Sequence, residues 1–477
     1  MSTSTAQPRL RSPGSLREAW IALAGLSAVF LFEMLDGSIL TVALPTIGRD
    51  LHASTTALQW VSNSYAVVFG GLMLVFGAVA DRVGRRRVML AGLVLLGAAS
   101  LATLFVTSVG ELVAVRSVTG VAAAMTTPGS IALAFRLFRA DDLRVRAMTL
   151  ISTVGLVGLA IGPPLGGALL TVAPWQALLL VNVPISVLAF ACIGRGVEAD
   201  TAAELHRDPA DLLGGVLGTA TIVLALVVPT FFVERGASSW LPWTASAATV
   251  VAAVLYVVRA RTASHPLLNL KLVARPLVAS GLAHKAATGL AAAGLTYLVT
   301  LQLQLDWGWS PALAAAGMLP QVVVLIAGGP LVTRFVRAVG LDRAAWLGGS
   351  CVVTGLAVYA LLGRLGYAPV AAALVLVAIG IRVVGAVAGV NVLKGLPENR
   401  TSIGAALVDT ASQVTAAAGV AVSGTVLAVL FAGGIAQPGW SAAQTAQFER
   451  AVTIGGLALT ALSAALVGWG FVRARRV

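Results

Sequence analysis

Glu33, Asp36 and Arg116 interrupt stretches otherwise built of Ala, Val, Leu, Ile and Gly. In such surroundings a lone carboxylate or guanidinium is costly, so residues of this kind pair, face water or exchange protons. Asp36 lies about eight residues, or roughly 12 Å, from the end of its stretch at the helical rise, and Arg116 enters its own to a similar depth. The two can therefore form an ion pair. Glu33 stands about one helical turn before Asp36 on a shared face, where two ionised acids would repel. Burial and that repulsion resist negative charge while Arg116 favours it, which is the balance a proton switch needs. A fixed salt bridge that only orients two helices would use the same residues.

Fourteen apolar runs, from 17–44 to 450–472, carry these groups, and most are long enough to cross a bilayer as helices. Of the 32 Lys and Arg residues, 25 fall in every second gap between runs or at the two ends, four (Arg49, Arg235, Arg364, Arg450) fall on the opposite side, and three (Arg116, Lys285, Arg382) lie inside runs. Basic residues mark cytoplasmic loops, so both termini are predicted to be cytoplasmic. With 58% hydrophobic and 11% charged residues, against about 25% charged in soluble domains, the chain is an integral membrane protein with the lipid bilayer as its partner. The net charge of +13 sits in short loops, where it sets orientation rather than binding nucleic acid.

No gap has room for a soluble domain, and none of the three lysines (Lys271, Lys285, Lys394) follows a glycine, so there is no phosphate-cradling Walker loop. Any energy for moving a solute must come from elsewhere, such as an ion gradient. Cys192 and Cys351 read as small hydrophobes without pairing or metal spacing, and no cofactor, metal site or catalytic constellation is expected. The preference for Arg, Ala, Gly and Val over Lys suggests a bacterial chain of the cytoplasmic membrane.

The turn after the second run, Gly77-Ala-Val-Ala-Asp81-Arg82-Val-Gly84-Arg85-Arg86-Arg87, returns in degraded form after the tenth as Gly329-Pro-Leu-Val-Thr333-Arg334-Phe-Val-Arg337. An internal repeat follows: six helices in residues 1–196, two linker helices in 197–264, and six helices in 265–477. Gly77 and Gly84 admit neighbouring backbones, and Asp81 can accept from Arg82, Arg85 or a helix N-terminus, so the turn is a candidate cytoplasmic gate. Gly158, Gly162, Gly166 and Gly167 allow close packing in run five, with Pro163 interrupting its hydrogen-bond ladder. Tyr65, Gln302, Gln321, Arg382 and Asp409 are candidate cavity residues. Lys285 is placed to pair with Asp409, and His284 reads as a satisfied interface residue.

Together these motifs resemble the fourteen-span drug:proton antiporter branch of the major facilitator superfamily. Leu35-Asp36-Gly-Ser-Ile-Leu-Thr-Val-Ala-Leu44-Pro45, the Gly77–Arg87 turn, Arg116-Ser-Val-Thr-Gly120, Gly158-Leu-Ala-Ile-Gly162-Pro163-Pro-Leu-Gly166-Gly167 and Leu180-Val-Asn182-Val-Pro184 carry the likeness. Thr333, where a symmetric repeat would keep an acid, departs from it. The resemblance implies an all-α polytopic fold of 14 transmembrane helices, two six-helix bundles plus two linker helices, around a midplane cavity. It also implies a coupling role for Asp36 and Arg116, an antiport role for the run-five glycines, and export of small, largely apolar molecules (drug, antibiotic or secreted metabolite) against protons. The alternative is a symporter or facilitator for an anionic metabolite held by Arg382 and Lys285; a membrane enzyme or receptor fits less well.

Overall fold

The computed structural model describes residues 14–138, 140–201, 211–264, 266, 270–396, 401–432, 435 and 439–475. Arg9, Arg11, Arg139, Arg207, Arg400 and Arg476, which contribute to the charge pattern, lie outside them. Among the described residues the secondary structure is entirely helical. A bilayer offers backbone groups no water, and a helix satisfies them within one segment. Twelve helices are long and apolar enough to span a membrane, and two bent pairs raise the number to fourteen.

In chain order these are α1 (Trp20–Asp50), α2 (Thr55–Val83), α3 (Arg85–Ala102), α4 (Val109–Leu137), α5 (Asp141–Leu169) and α6 (Gln176–Gly196, interrupted at Val181). Next come α7 (Leu212–Arg235) and α8 (Trp240–Thr262), then α9 (Pro276–Leu301) and α10, which is built of Pro311–Gly317, Leu319–Ala327 and Gly329–Val339. The last four are α11 (Leu341–Leu362), α12 (Tyr367–Gly395), α13 (Thr401–Leu430) and α14 (Ala442–Ala474). Serine caps begin α2, α4, α8, α10 and α14: Ser54, Ser108, Ser239, Ser310 and Ser441 each accept a hydrogen bond from a first-turn N–H. All five caps lie at the end remote from the arginine-rich turns, where a helix start needs polar partners of its own.

Packing repeats with an offset of eight helices. In the first half α1 packs on α5 and α6, α2 on α4, and α3 on α4 and α6. In the second half α9 packs on α13 and α14, α10 on α12, and α11 on α12 and α14. The equivalent helices α2 and α10 are both bent, by 51° between Met73 and Val75 and by 57° between Ala327 and Gly329. Each is followed by a glycine with positive φ, Gly84 (φ +115°) and Gly340 (φ +81°), a backbone region that favours glycine. That equivalence places the second turn one helical turn later than the sequence pairing of Gly77 with Gly329 implies. Asp81 therefore corresponds to Arg337 rather than to Thr333.

The halves meet along two seams, α2 against α13 and α5 against α10. Helix α7 lies on the first seam and touches both α2 and α13, with the Thr219 hydroxyl donating to the Gly71 carbonyl at 2.6 Å. At the end remote from the arginine-rich turns the halves also join through Gln304, whose Nε2 donates to the Val42 carbonyl at 3.0 Å. Gly167 of α5 sits there against Ala312 of α10, so close that a Cβ would lie 2.7 Å from the Ala312 Cα. Below the bend, the Gly329–Val339 segment packs on α11 and α12. The halves are thus in contact on the side opposite the arginines.

Candidate functional site

Asp36 and Arg116 are buried together, 0% and 1% exposed. Arg116 Nη1 donates to Asp36 Oδ2 at 2.7 Å, and Asn182 Nδ2 donates to Oδ1 at 2.7 Å. Both carboxylate oxygens are therefore satisfied, one from α4 and one from α6. The guanidinium lies over the Tyr65 ring at 4.7 Å from its centroid, a cation–π contact strengthened by exclusion of water. Gly120, one turn beyond Arg116, makes this approach possible: a Cβ there would lie 2.7 Å from the Tyr65 carbonyl. The sequence read α1 as ending near Pro45, but the helix continues through that proline to Asp50. Asp36 consequently sits near the middle of a 31-residue helix, deeper than the apolar run alone suggests.

Between the halves lies a cavity of about 730 Å³ with a mainly apolar wall, to which Arg116, Tyr65 and Glu33 contribute. Asp36 is not part of that wall; it is turned toward α4 and α6. Glu33 accepts from Thr127 Oγ1 at 3.2 Å and from Gln413 Nε2 at 3.3 Å, and the second bond crosses from the first half to the second. Glu33, one turn from Asp36 on α1, thus also links the two halves.

On the opposite wall stand Lys285, Gln321, Arg382 and Gln413. Among the described residues no ion pair within 4.0 Å joins Lys285 and Asp409, and Asp409 is not one of the lining residues. Gln302 is placed elsewhere: its Nε2 donates to the Gly363 carbonyl at 3.1 Å, tying the end of α9 to the end of α11. His284 is buried, its Nδ1 2.8 Å from the Ser280 carbonyl and its ring against Gly470, as an interface residue.

At the arginine-rich turn, Asp81 pairs with Arg85 of its own turn at 2.8 Å, and Arg82 is exposed. Gly77 has only Pro128 near its would-be Cβ, at 3.9 Å. Arg86 Nη2 ties this turn to the Gly194 carbonyl of α6, and a second tie comes from Asp200, which the sequence reading did not single out. It accepts from the Arg86 backbone N–H at 3.0 Å and from Arg136 Nη1 at 2.7 Å, and it fills the space beside Gly84. Asp200 lies outside every apolar run, and an acid in a short basic loop carries no signal of its own; Asn182 likewise stood out only as one polar residue in run six.

The run-five glycines form the α1–α5 contact. A Cβ at Gly158 would lie 2.8 Å from the Leu31 carbonyl, one at Gly162 would collide with the Ser38 side chain, and one at Gly166 would lie 3.0 Å from Ile39. Pro163 lines the cavity. These glycines therefore hold α1, with Glu33 and Asp36 on it, at close quarters to α5.

A sequence profile of the Major Facilitator Superfamily matches residues 26–420. The cephamycin export protein CmcT of Amycolatopsis lactamdurans is 33% identical over 327 residues, covering 67% of this chain and 67% of that protein. The multidrug efflux pump LfrA of Mycolicibacterium smegmatis is 29% identical over 452 residues, covering 93% of this chain and 87% of that protein. Among solved structures, a bacterial homologue of the human lysosomal transporter Spinster, in an inward-facing and unoccupied conformation, superposes with a TM-score of 0.69 at 15% identity, covering 97% of this chain and 98% of that one.

Proposed function

Because the chain belongs to the Major Facilitator Superfamily, we propose that it exports small, largely apolar molecules such as drugs, antibiotics or secreted metabolites in exchange for protons, by alternating access. It acts as a transporter rather than an enzyme, in a bacterial cytoplasmic membrane with both termini inside. The units are the bundles 1–196 and 265–477, with 197–264 as linker. The carrying observation is the layer of ionisable groups around the central cavity: the enclosed Asp36–Arg116–Asn182 cluster beside Glu33, which reaches across to Gln413.

Each group has a physical task in the cycle. Asp36 holds Arg116 in place while ionised; a proton on Asp36 removes half of the ion pair and leaves the guanidinium to find other partners, which changes what the cavity wall presents. Glu33, ionised, is drawn to Lys285 across the gap, and neutralised it is not. In the outward-open state a proton arriving from outside takes the place of the departing substrate and favours return to the arrangement described above, where its loss to the cytoplasm lets substrate bind. A charge-dependent contact between two rigid bundles biases a two-state equilibrium without needing a flexible one.

The arginine-rich turn is the cytoplasmic gate in this reading. Among the described residues Asp81 is engaged only with its neighbour Arg85, as expected of a lock that is open while the halves meet at the opposite end through Gln304 and Gly167. The test uses everted membrane vesicles with an acid interior: an exported compound accumulates inside only while the proton gradient stands. Accumulation that is unaffected when a protonophore collapses the gradient would refute proton exchange.

A further inference from the structure

Among the described residues two cavity-lining cations, Lys285 and Arg382, lie outside any ion pair, and they are not equivalent. Lys285 shares the cavity wall with Glu33. Arg382, among the described residues, has no carboxylate within ion-pair distance. Its recorded bond is a long one, Nη2 to the Ile326 carbonyl at 3.4 Å, and its buried Nε has no partner. It stands on α12 about 15 residues from one end and 13 from the other, so roughly 20 Å of helix separates it from either surface. Snorkelling along its own stem does not cover such a distance. An arginine kept in this position without an acid calls for an anion that comes and goes.

Its surroundings suit such a visitor. The carbonyl it touches belongs to the upper part of α10, directly before the 57° bend, and Gly329, which begins the lower part, also lines the cavity. Broken helices of this kind present backbone ends at the membrane midplane, where N-termini favour negative charge. A Cβ at Gly329 would lie 3.1 Å from Arg382 Nη2, and Gly385, one turn along α12, has nothing within 4 Å of its would-be Cβ. The guanidinium is thereby left with open space in front of it. Gln321, also in the wall, has a buried Oε1 without a partner, so the amide can turn its NH2 toward an incoming acceptor.

Resting on the export function proposed above, we propose that Arg382 is an anion-binding subsite and that the transported molecules include amphipathic acids, whose carboxylate or sulfonate takes both guanidinium arms while the apolar body fills the remaining cavity. A planar fork matches such oxyanions in a bidentate way that lysine does not. On this assignment Lys285 serves the acids of the proton layer and Arg382 serves the cargo.

The test is equilibrium binding of 1-pyrenebutyrate and its isosteric carboxamide to the purified full-length protein in detergent at neutral pH. The wild type is expected to prefer the carboxylate by about thirty-fold, the scale of losing one partner of a desolvated charge pair. Arg382→Gln should abolish the preference and Arg382→Lys should retain only part of it, with thermal melts reporting whether each variant is folded; if only the lysine variant folds, an undiminished preference in it is contrary. Lys285→Gln should keep the preference. Equal binding of the two probes by the wild type, or a preference that follows Lys285 instead, would overturn the subsite. Excess phosphatidylglycerol should not compete; displacement by it would assign the arginine to a lipid headgroup and likewise overturn the proposal. Gradient-driven export of neutral compounds without any carboxylate preference would sink this subsite and leave the antiport reading standing, whereas absence of gradient-driven export altogether would sink the latter.

Discussion

The two walls of the cavity handle charge in opposite ways. In the first half, Asp36 and Arg116 are sealed from water and completed by Asn182, with both carboxylate oxygens bonded. In the second half, Lys285, Arg382 and Asp409 are separated by more than ion-pair distance and partly exposed. A desolvated, fully bonded pair has few alternatives and behaves as a switch with defined states, whereas loosely held charges adapt to whatever enters. On the proposed function, the first wall would respond to a proton and the second to cargo. Glu33 connects them, since it sits on the first wall and hydrogen-bonds to Gln413 on the second.

This contrast breaks most severely at Arg116. Arg116→Leu leaves Asp36 buried without its cation, with an expected cost of about 3–5 kcal/mol and complete loss of resistance conferred on a sensitive host; thermal melting in detergent and growth on a compound panel measure the two effects. Loss of the pair with unchanged melting would show that the first wall is as loose as the second. The α1–α5 seam is the next most sensitive. Gly162→Ala puts a methyl group into the Ser38 side chain and should destabilise by about 1–3 kcal/mol, while Gly37→Ala, with nothing within 4 Å of its Cβ on the same helix, should fall within about 1 kcal/mol of the wild type. Equal melts for the two variants would remove the close approach of α1 and α5 from the account.

Smaller effects distinguish the loose groups. Asp200→Asn should lower the melting midpoint by the equivalent of about 1–2 kcal/mol through loss of its partly buried contact with Arg136, with gradient-driven export retained; full stability would mean that the turn holds without it. Glu33→Gln keeps the shape and the capacity to hydrogen-bond Thr127 and Gln413, so the protein should fold normally while the link between halves no longer depends on proton concentration. Export by this variant should have a flatter pH dependence than the wild type, measured in vesicles, and an unchanged profile would assign Glu33 a structural role only.

How much of this could be read beforehand varied with the kind of residue. The spans and the Asp36–Arg116 partnership were legible because a charge within an apolar run is too costly to be accidental, and because basic loops alternate in register with the membrane. The assignment of Glu33 and Asp36 to different environments was not. Helix α1 is apolar nearly all round, with no amphipathic stripe to say which face meets the cavity and which meets α4 and α6. Gln302 and Gln413 illustrate the same limit: both are glutamines inside apolar runs, yet one ties the peripheral end of α9 to Gly363 and the other reaches into the centre. The continuation of α1 past Pro45 and the one-turn shift of the repeat around Gly340 were hidden as well, since packing against neighbouring helices decides where a transmembrane helix stops.

The central claim is that a proton on the enclosed carboxyl behind the first wall drives export, and Asp36→Asn tests it most directly, because the amide preserves size and can remain within reach of Asn182. In proteoliposomes carrying a pH gradient, with an exported compound and an internal pH dye, the account expects the wild type to move substrate and protons in opposite directions and the Asp36→Asn protein, folded and still binding the compound, to let substrate equilibrate without proton movement. Proton-coupled accumulation by the Asp36→Asn protein at the wild-type level would contradict it.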